Sequence, residues 1–301
     1  MYDIIVIGAG PAGLTAAIYG RRAEKSVLIL EKTTFGGQIT HSPLVENYPG
    51  FASASGNEIA EKMLEQALSQ GAEVELDMAV SITGELGNFT VQGENGAYMG
   101  KTVILATGSR HRLLGLPKEM ELTGEGVSYC AVCDGAFYKG KTVAVIGGGN
   151  SALQEAILLS SGCKKVYIVQ NLAFLTGEER LINELKTREN VEIILSTVVT
   201  ELVGDTALNG IMLRNEDTGK ETALLLDGIF VAIGQTSDNE SFKEIVALNE
   251  SGYIISGEDC IPESRKGIFV AGDCRTKSIR QITTATADGA VAALAACRIL
   301  G

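Results

Sequence analysis

Histidine is nearly missing from this chain of 301 residues, with His41 and His111 its only two. Cysteine is sparse outside one C-x-x-C pair, and Cys163, Cys260, Cys274 and Cys297 stand singly. A tetrahedral zinc site needs more Cys or His in a recognisable pattern, so the shortage argues against a bound metal. Six cysteines in an acidic chain of this length do not make a secreted disulfide framework either. The four single ones read as small buried apolar residues. Basic residues are also few, 25 against 37 acidic ones, for a formal net charge of −12. That balance argues against nucleic acid as a partner, because a phosphate backbone is bound by clustered Lys and Arg. The small clusters Arg21-Arg22 and Lys164-Lys165 read as solvated surface. No run reaches the roughly 18 uninterrupted apolar residues of a membrane helix. The apolar start, Met1 to Ile7, has no basic n-region and runs straight into a glycine motif, so it reads as a strand and not a signal peptide. The expectation is a soluble cytoplasmic protein that engages neither membrane nor nucleic acid.

Glycine, by contrast, is abundant. The 36 glycines are about 12% of the chain against about 7% on average, which signals tight turns and close backbone approach to a ligand. The length suffices for two domains, each with its own core. Asp3 to Ile7 is a short apolar run, followed by Gly8-Ala9-Gly10-Pro11-Ala12-Gly13 and a helical stretch, Leu14 to Arg22. Strand, G-x-G-x-x-G and helix form the dinucleotide fingerprint, which seats a pyrophosphate on the helix N-terminus. Ser26 to Leu30 is a second strand ending in Glu31, an acid placed to accept hydrogen bonds from a ribose.

The pattern then repeats. Thr142 to Ile146 reads as a strand, Gly147-Gly148-Gly149-Asn150-Ser151-Ala152 as a second glycine turn, Ala156 to Ser160 as its helix and Val166 to Val169 as the next strand. The step from Gly13 to Glu31 equals that from Ala152 to Gln170. The second unit offers a neutral glutamine where the first has an acid. Asn171, Leu172, Ala173, Phe174, Leu175 and Thr176 follow, with no arginine to meet a 2′-phosphate.

Between the units lies Cys130-Ala131-Val132-Cys133-Asp134-Gly135. Two thiols at that spacing can close a small disulfide, the first attacking a partner and the second resolving the mixed intermediate. Elsewhere, Glu58 to Gln70 reads as an amphipathic helix, and Ala72 to Val80 and Asn88 to Gln92 as strands that pair in a hairpin. Thr102 to Gly108 is a buried strand entering a glycine turn. Val191 to Leu195, Val198 to Val203 and Ile229 to Gly234 are further strands. Gly267 to Asp273 is a strand ending in Gly-Asp, whose carboxylate serves either a cofactor or a helix cap. Arg280-Gln281 opens a helix of small residues from about Ile282 to Leu300.

These motifs together resemble the low-molecular-weight thioredoxin reductases over essentially the whole chain, in that family's order and spacing. The resemblance implies an α/β fold of the pyridine nucleotide-disulfide oxidoreductase class II, with two Rossmann-like dinucleotide-binding domains. An FAD domain would comprise residues 1–112 and 237–301, with an inserted nucleotide-type domain, 113–236, carrying the cysteines. FAD would be held by Gly8, Gly10, Pro11, Ala12, Gly13, Glu31, Lys32, Gly37, Gln38, Asn47, Ala106, Thr107 and Gly108. Asp273, Arg280, Gln281 and Ile282 would close over it. Cys130 would attack the disulfide of thioredoxin, Cys133 would lie against the flavin, and Asp134 would move protons. Members are usually homodimers.

The chain departs from the family in its second unit. NADPH-dependent members carry a His-Arg-Arg segment and a later Arg where Gln170-Asn171-Leu172 and Thr176 stand, and two acids where this chain has Gln154-Glu155. In this it is similar to the ferredoxin-dependent flavin thioredoxin reductases, which implies ferredoxin as electron donor. A ferredoxin near about −400 mV feeding a thioredoxin near about −270 mV leaves about 130 mV, or about 6 kcal/mol for two electrons. The acidic chain gives an acidic ferredoxin no long-range attraction, so docking would fall to a local patch around Arg275, Lys277 and Arg280. The competing readings are a thioredoxin reductase using NADH or NADPH through unusual contacts, an oxygen-dependent dithiol oxidase, and a non-catalytic flavoprotein. Asp134 and the Ala-Val spacer lean against the oxidase, and an intact Cys-x-x-Cys-Asp against the scaffold.

Overall fold

The computed structural model describes every residue except Pro43 and Ser264. Two compact units emerge, one of residues 1–110 and 236–301 and the other of residues 111–235. Among the described residues the helices are α1 (Pro11–Arg22), α2 (Gly56–Ser69), α3 (Ala131–Asp134), α4 (Asn150–Ser160), α5 (Glu179–Lys186) and α6 (Ile282–Leu300).

The first unit is built on a sheet whose parallel strands run in the order Glu73–Leu76, Val27–Glu31, Tyr2–Ile7, Ala97–Leu105 and Ile268–Val270. Tyr2–Ile7 is central, with Val6 opposite both Ile29 and Ile104. Its apolar run does not alternate because both faces are covered, as parallel sheets require. Ile4 and Val6 pack with Leu14 and Ile18 of α1 and Ala292 of α6. Ile5 and Ile7 pack on the opposite face with Phe242, Ile245 and Val91. α2 starts with a capping box, Ser55 and Glu58 each bonding the other's backbone N–H.

The second unit repeats this plan. Its parallel order is Val191–Ile194, Lys165–Val169, Thr142–Ile146, Gly228–Val231 and Val127–Ser128. Val143, Val145 and Ile168 face α4 and α5, while Ala144, Ile146 and Ile229 face Leu202, Leu208 and Ile211 of an antiparallel three-stranded sheet. The α/β class with parallel sheets is therefore observed as expected.

Several local expectations change. Ala72–Val80 is not one strand. Glu73–Leu76 joins the parallel edge beside Val27–Glu31, while Ala79–Glu85 forms the hairpin with Asn88–Gly93. The break falls at Asp77, which is buried and accepts hydrogen bonds from Asn95 N (3.1 Å) and Tyr98 Oη (3.0 Å). α4 begins six residues earlier than its expected start, directly at the glycine turn. The strands Leu208–Asn215 and Glu221–Leu225 and the helix α5 were not anticipated. By length and composition α6 is apolar enough to cross a bilayer, although Asp288 and Arg298 interrupt its apolar run. It packs along α1 instead, so closely that a Cβ on Gly289 would lie 2.2 Å from Ala12 O.

Candidate functional site

The first glycine turn joins Tyr2–Ile7 to α1. Gly8 has φ +108°, and a Cβ there would sit 2.3 Å from Ala106 O; a Cβ on Gly13 would sit 1.9 Å from Gly8 O. Both positions need glycine so that strand, turn and helix can touch. Gly10 differs, since its Cβ would meet nothing nearer than Gly36 O and Gly37 Cα at 4.0 Å. Pro11 is the first residue of α1, where its missing N–H costs nothing. Ala12 is buried against Gly272. The open face of Gly10 thus lies at a helix N-terminus.

Other expected residues gather in the same unit. Gly36 N donates to Ala9 O (2.8 Å), bringing Gly37 under Gly10, with Gln38 exposed beside it. Glu31 is buried and accepts from Ala9 N through Oε2 (2.9 Å) and from Thr33 N through Oε1 (3.0 Å). Lys32 is paired with Asp238, which Arg110 also meets. Asn47 Nδ2 donates to Gln281 Oε1 (3.2 Å). Ala106 N donates to Ile7 O (2.8 Å) and Thr107 Oγ1 to Asn239 Oδ1 (2.6 Å), while Gly108, at φ +71°, borders open space. Gln281 caps α6, whose first residue is Ile282. Asp273 Oδ1 is buried without a hydrogen-bond partner, and burial raises this carboxyl to about 6 against the opposing pull of Lys277 and Arg280. An orphan carboxylate oxygen, an open glycine face and a helix N-terminus in one unit fit an FAD, with its hydroxyls and pyrophosphate supplying the missing partners.

The basic patch expected around Arg275, Lys277 and Arg280 does not exist as a docking surface. Arg275 is 1% exposed and clasps Asp288 through Nε and Nη2, both at 2.9 Å, and Lys277 donates to the same carboxylate at 2.9 Å. Arg280 stacks 4.3 Å from the Tyr253 ring centroid. The charges of Arg275 and Lys277 are spent on Asp288 in the interior of the first unit.

The second glycine turn has the same backbone shape, Gly147 standing at φ +131° with its Cβ position 2.4 Å from Ala232 O. The residue after the next strand behaves differently. Gln170 is buried, its amide lies against Gly148, where a Cβ would be 2.6 Å from Gln170 Cδ, and its Nε2 donates to Phe174 O (3.4 Å). Thr176 N and Gly177 N donate to Gly148 O at 2.9 and 3.0 Å. Glu178 meets Asn150 at the start of α4, accepting from Asn150 Nδ2 (3.2 Å), and Arg180 is paired with Glu178 (3.7 Å).

Cys130 and Cys133 are joined as a disulfide, with Cα atoms 5.3 Å apart. Cys130 is the N-cap of α3 and Ser128 supports it, accepting from Cys130 N (3.1 Å) and donating to Asp134 Oδ2 (2.6 Å). Burial raises the Asp134 carboxyl, and the Ser128 hydroxyl opposes that rise. Cys163, Cys260 and Cys274 are buried and Cys297 half-buried. Among the described residues no cluster could hold a metal ion. Of two residues beside the pair, Ser128 escaped the sequence reading, and Glu155 entered it only as part of the departure at Gln154-Glu155. Glu155 follows Ala152 by three and precedes Leu159 by four, so its place on the buried face of α4 was available from helical periodicity.

Residues 2–289 match the family described as pyridine nucleotide-disulphide oxidoreductase. The chain is 42% identical over 295 residues to a thioredoxin reductase of Bacillus subtilis, covering 97% of this chain and 93% of that protein. It is 41% identical over 300 residues to a "34.2 kDa protein in rubredoxin operon" of Clostridium pasteurianum, covering 99% and 97%. The crystal structure of a thioredoxin reductase from Streptococcus pyogenes aligns with a TM-score of 0.94 at 38% identity, covering all of this chain and 98% of that one.

Proposed function

Because this chain belongs to the low-molecular-weight thioredoxin reductases, FAD-dependent disulfide oxidoreductases of the pyridine nucleotide-disulphide family, we propose which of its residues carry the reaction and what supplies its electrons. FAD, when bound, supplies the redox centre between electron donor and dithiol. The unit of residues 1–110 and 236–301 holds it on Gly8 to Gly13, Glu31, Gly37, Gln38 and Asn47, with Asp273, Arg280 and Gln281 closing the site. In the other unit the reduced Cys130 attacks the thioredoxin disulfide. A mixed disulfide forms, the leaving sulfur takes a proton from Asp134, and Cys133 then attacks Cys130 to close the pair and release dithiol thioredoxin. Two electrons and two protons leave with the product. In Cys130→Ser and Cys133→Ser variants thioredoxin reduction is lost while the protein stays yellow. Activity surviving in either would overturn the assignment.

The donor is a reduced ferredoxin and not a nicotinamide. The observation that carries this is Gln170, packed on Gly148 where the first unit holds Glu31. Gln170 offers no acid to a ribose, and the first cation that follows it in sequence, Arg180, is paired with Glu178. A charge-assisted contact is worth about 1.5 to 3 kcal/mol, so two missing contacts weaken nucleotide binding by several powers of ten. Calorimetric titration with NADPH and with NADH gives no saturable binding below about 1 mM. Micromolar binding of either would favour the second reading, nicotinamide dependence through atypical contacts, which draws on the intact Gly147–Gly149 backbone. A cytoplasmic homodimer completes the proposal.

A further inference from the structure

We propose that Glu155, on α4, is a positioning residue that governs the protonation of Asp134 and through it the reactivity of Cys130. The proposal rests on Cys130 and Cys133 being the redox pair.

α3 packs against α4. The backbone N–H of Ala131, first residue of the helical turn between the cysteines, is directed at the Glu155 carboxyl, and Glu155 Oε2 is buried without any hydrogen-bond partner. Asp134 is the charged group that faces Glu155 from α3. The other neighbouring elements bring no compensating cation. Tyr138, in the turn after α3, keeps its proton to about 12. Lys165, on the adjacent strand, is paired with Glu192 at 2.9 Å. Glu179, Arg180, Glu184 and Lys186 lie on the exposed side of α5.

Asp134 and Glu155 are each half-buried, and with no cation paired to either, the negative charge of one disfavours ionisation of the other. The hydrogen bonds decide which of the two keeps its proton. Asp134 receives the Ser128 hydroxyl at 2.6 Å, which favours its ionised form, whereas one oxygen of Glu155 has no donor at all. Glu155 therefore carries the proton, consistent with its titration near 7, which burial causes first and the Asp134 charge reinforces. With Glu155 neutral, ionised Asp134 takes the proton of the Cys130 thiol. The resulting thiolate attacks the thioredoxin disulfide, and the departing sulfur takes that same proton back from Asp134. Glu155 exchanges no electrons. Once Glu155 ionises, a second negative charge opposes formation of the thiolate.

The test is iodoacetamide alkylation of Cys130 in the dithiothreitol-reduced holoenzyme across pH, resolved from the other cysteines by peptide mass spectrometry. Glu155→Gln keeps an acceptor for Ala131 N–H and removes the titration. At about pH 8.5 Cys130 in this variant alkylates about three- to tenfold faster than in the wild type, and at about pH 6 the two rates coincide. Placing both proteins in an Asp134→Asn background abolishes the difference. A rate change of equal size at every pH would make Glu155 merely structural and overturn the proposal, as would no change at all. If Glu155→Gln does not fold, the wild-type profile alone decides, since a single sigmoid without an inflection near 7 contradicts the coupling. Failure of dithiothreitol to release any alkylatable Cys130 is a different result; it defeats the underlying assignment of the redox pair and the proposal with it.

Discussion

The two glycine turns of this protein share a backbone and differ in what lies around it. At both, a glycine of positive φ lets the turn touch the chain beneath, Gly8 over Ala106 and Gly147 over Ala232. At both, the loop after the second strand returns to hydrogen-bond the turn, through Gly36 N to Ala9 O and through Thr176 N to Gly148 O. In the first, the acid Glu31 braces Ala9 and the face of Gly10 is open. In the second, a glutamine fills the ground beside Gly148 and a carboxylate, Glu178, meets the first residue of α4. The shared shape follows from glycines and sheet packing, while affinity for a dinucleotide follows from a few charged side chains, and it is in those that the two turns differ.

The largest effect that separates the turns is a matched pair of substitutions. Gly10→Leu places a side chain where the pyrophosphate belongs, so the purified protein is colourless. Gly149→Leu, whose Cβ would meet only Thr176 Oγ1 at 3.7 Å, leaves the flavin absorbance unchanged. Equal flavin loss in both variants would erase the distinction between the turns. A smaller effect compares the residues after the second strands. Glu31→Gln keeps an acceptor for Ala9 N but loses the charge, and weakens FAD about ten- to hundredfold by fluorescence titration of the apoprotein. Gln170→Glu changes NADH affinity by less than about tenfold, because the packed loop still confines that side chain. A gain of several powers of ten would show that one missing acid, and not the whole arrangement, excludes the nucleotide.

The parts of this molecule that were legible in its sequence are those set by neighbours along the chain. Strand, glycine turn, helix and second strand follow from apolar runs and local turn chemistry, and Cys130 to Asp134 announces itself by spacing. What was hidden depends on partners distant in sequence. Asp77 splits an apparent strand because Asn95 and Tyr98 meet its carboxylate. Arg275 and Lys277 look like a basic surface until Asp288 of α6 is brought beneath them. Gly210 and the polar Asn209 and Arg214 disguised Leu208–Asn215, whose antiparallel partners lie on both sides. Glu155 is a half-buried acid on a mostly apolar helix face, and only the packing of α3 on α4 shows which residues it serves.

The electron donor is tested most directly by anaerobic stopped-flow observation of the flavin. Photoreduced ferredoxin bleaches it rapidly, whereas micromolar NADPH or NADH leaves it oxidised over the same interval. Rapid bleaching by either nucleotide, with none by ferredoxin, would contradict the account and show that the second glycine turn still works as a nicotinamide site.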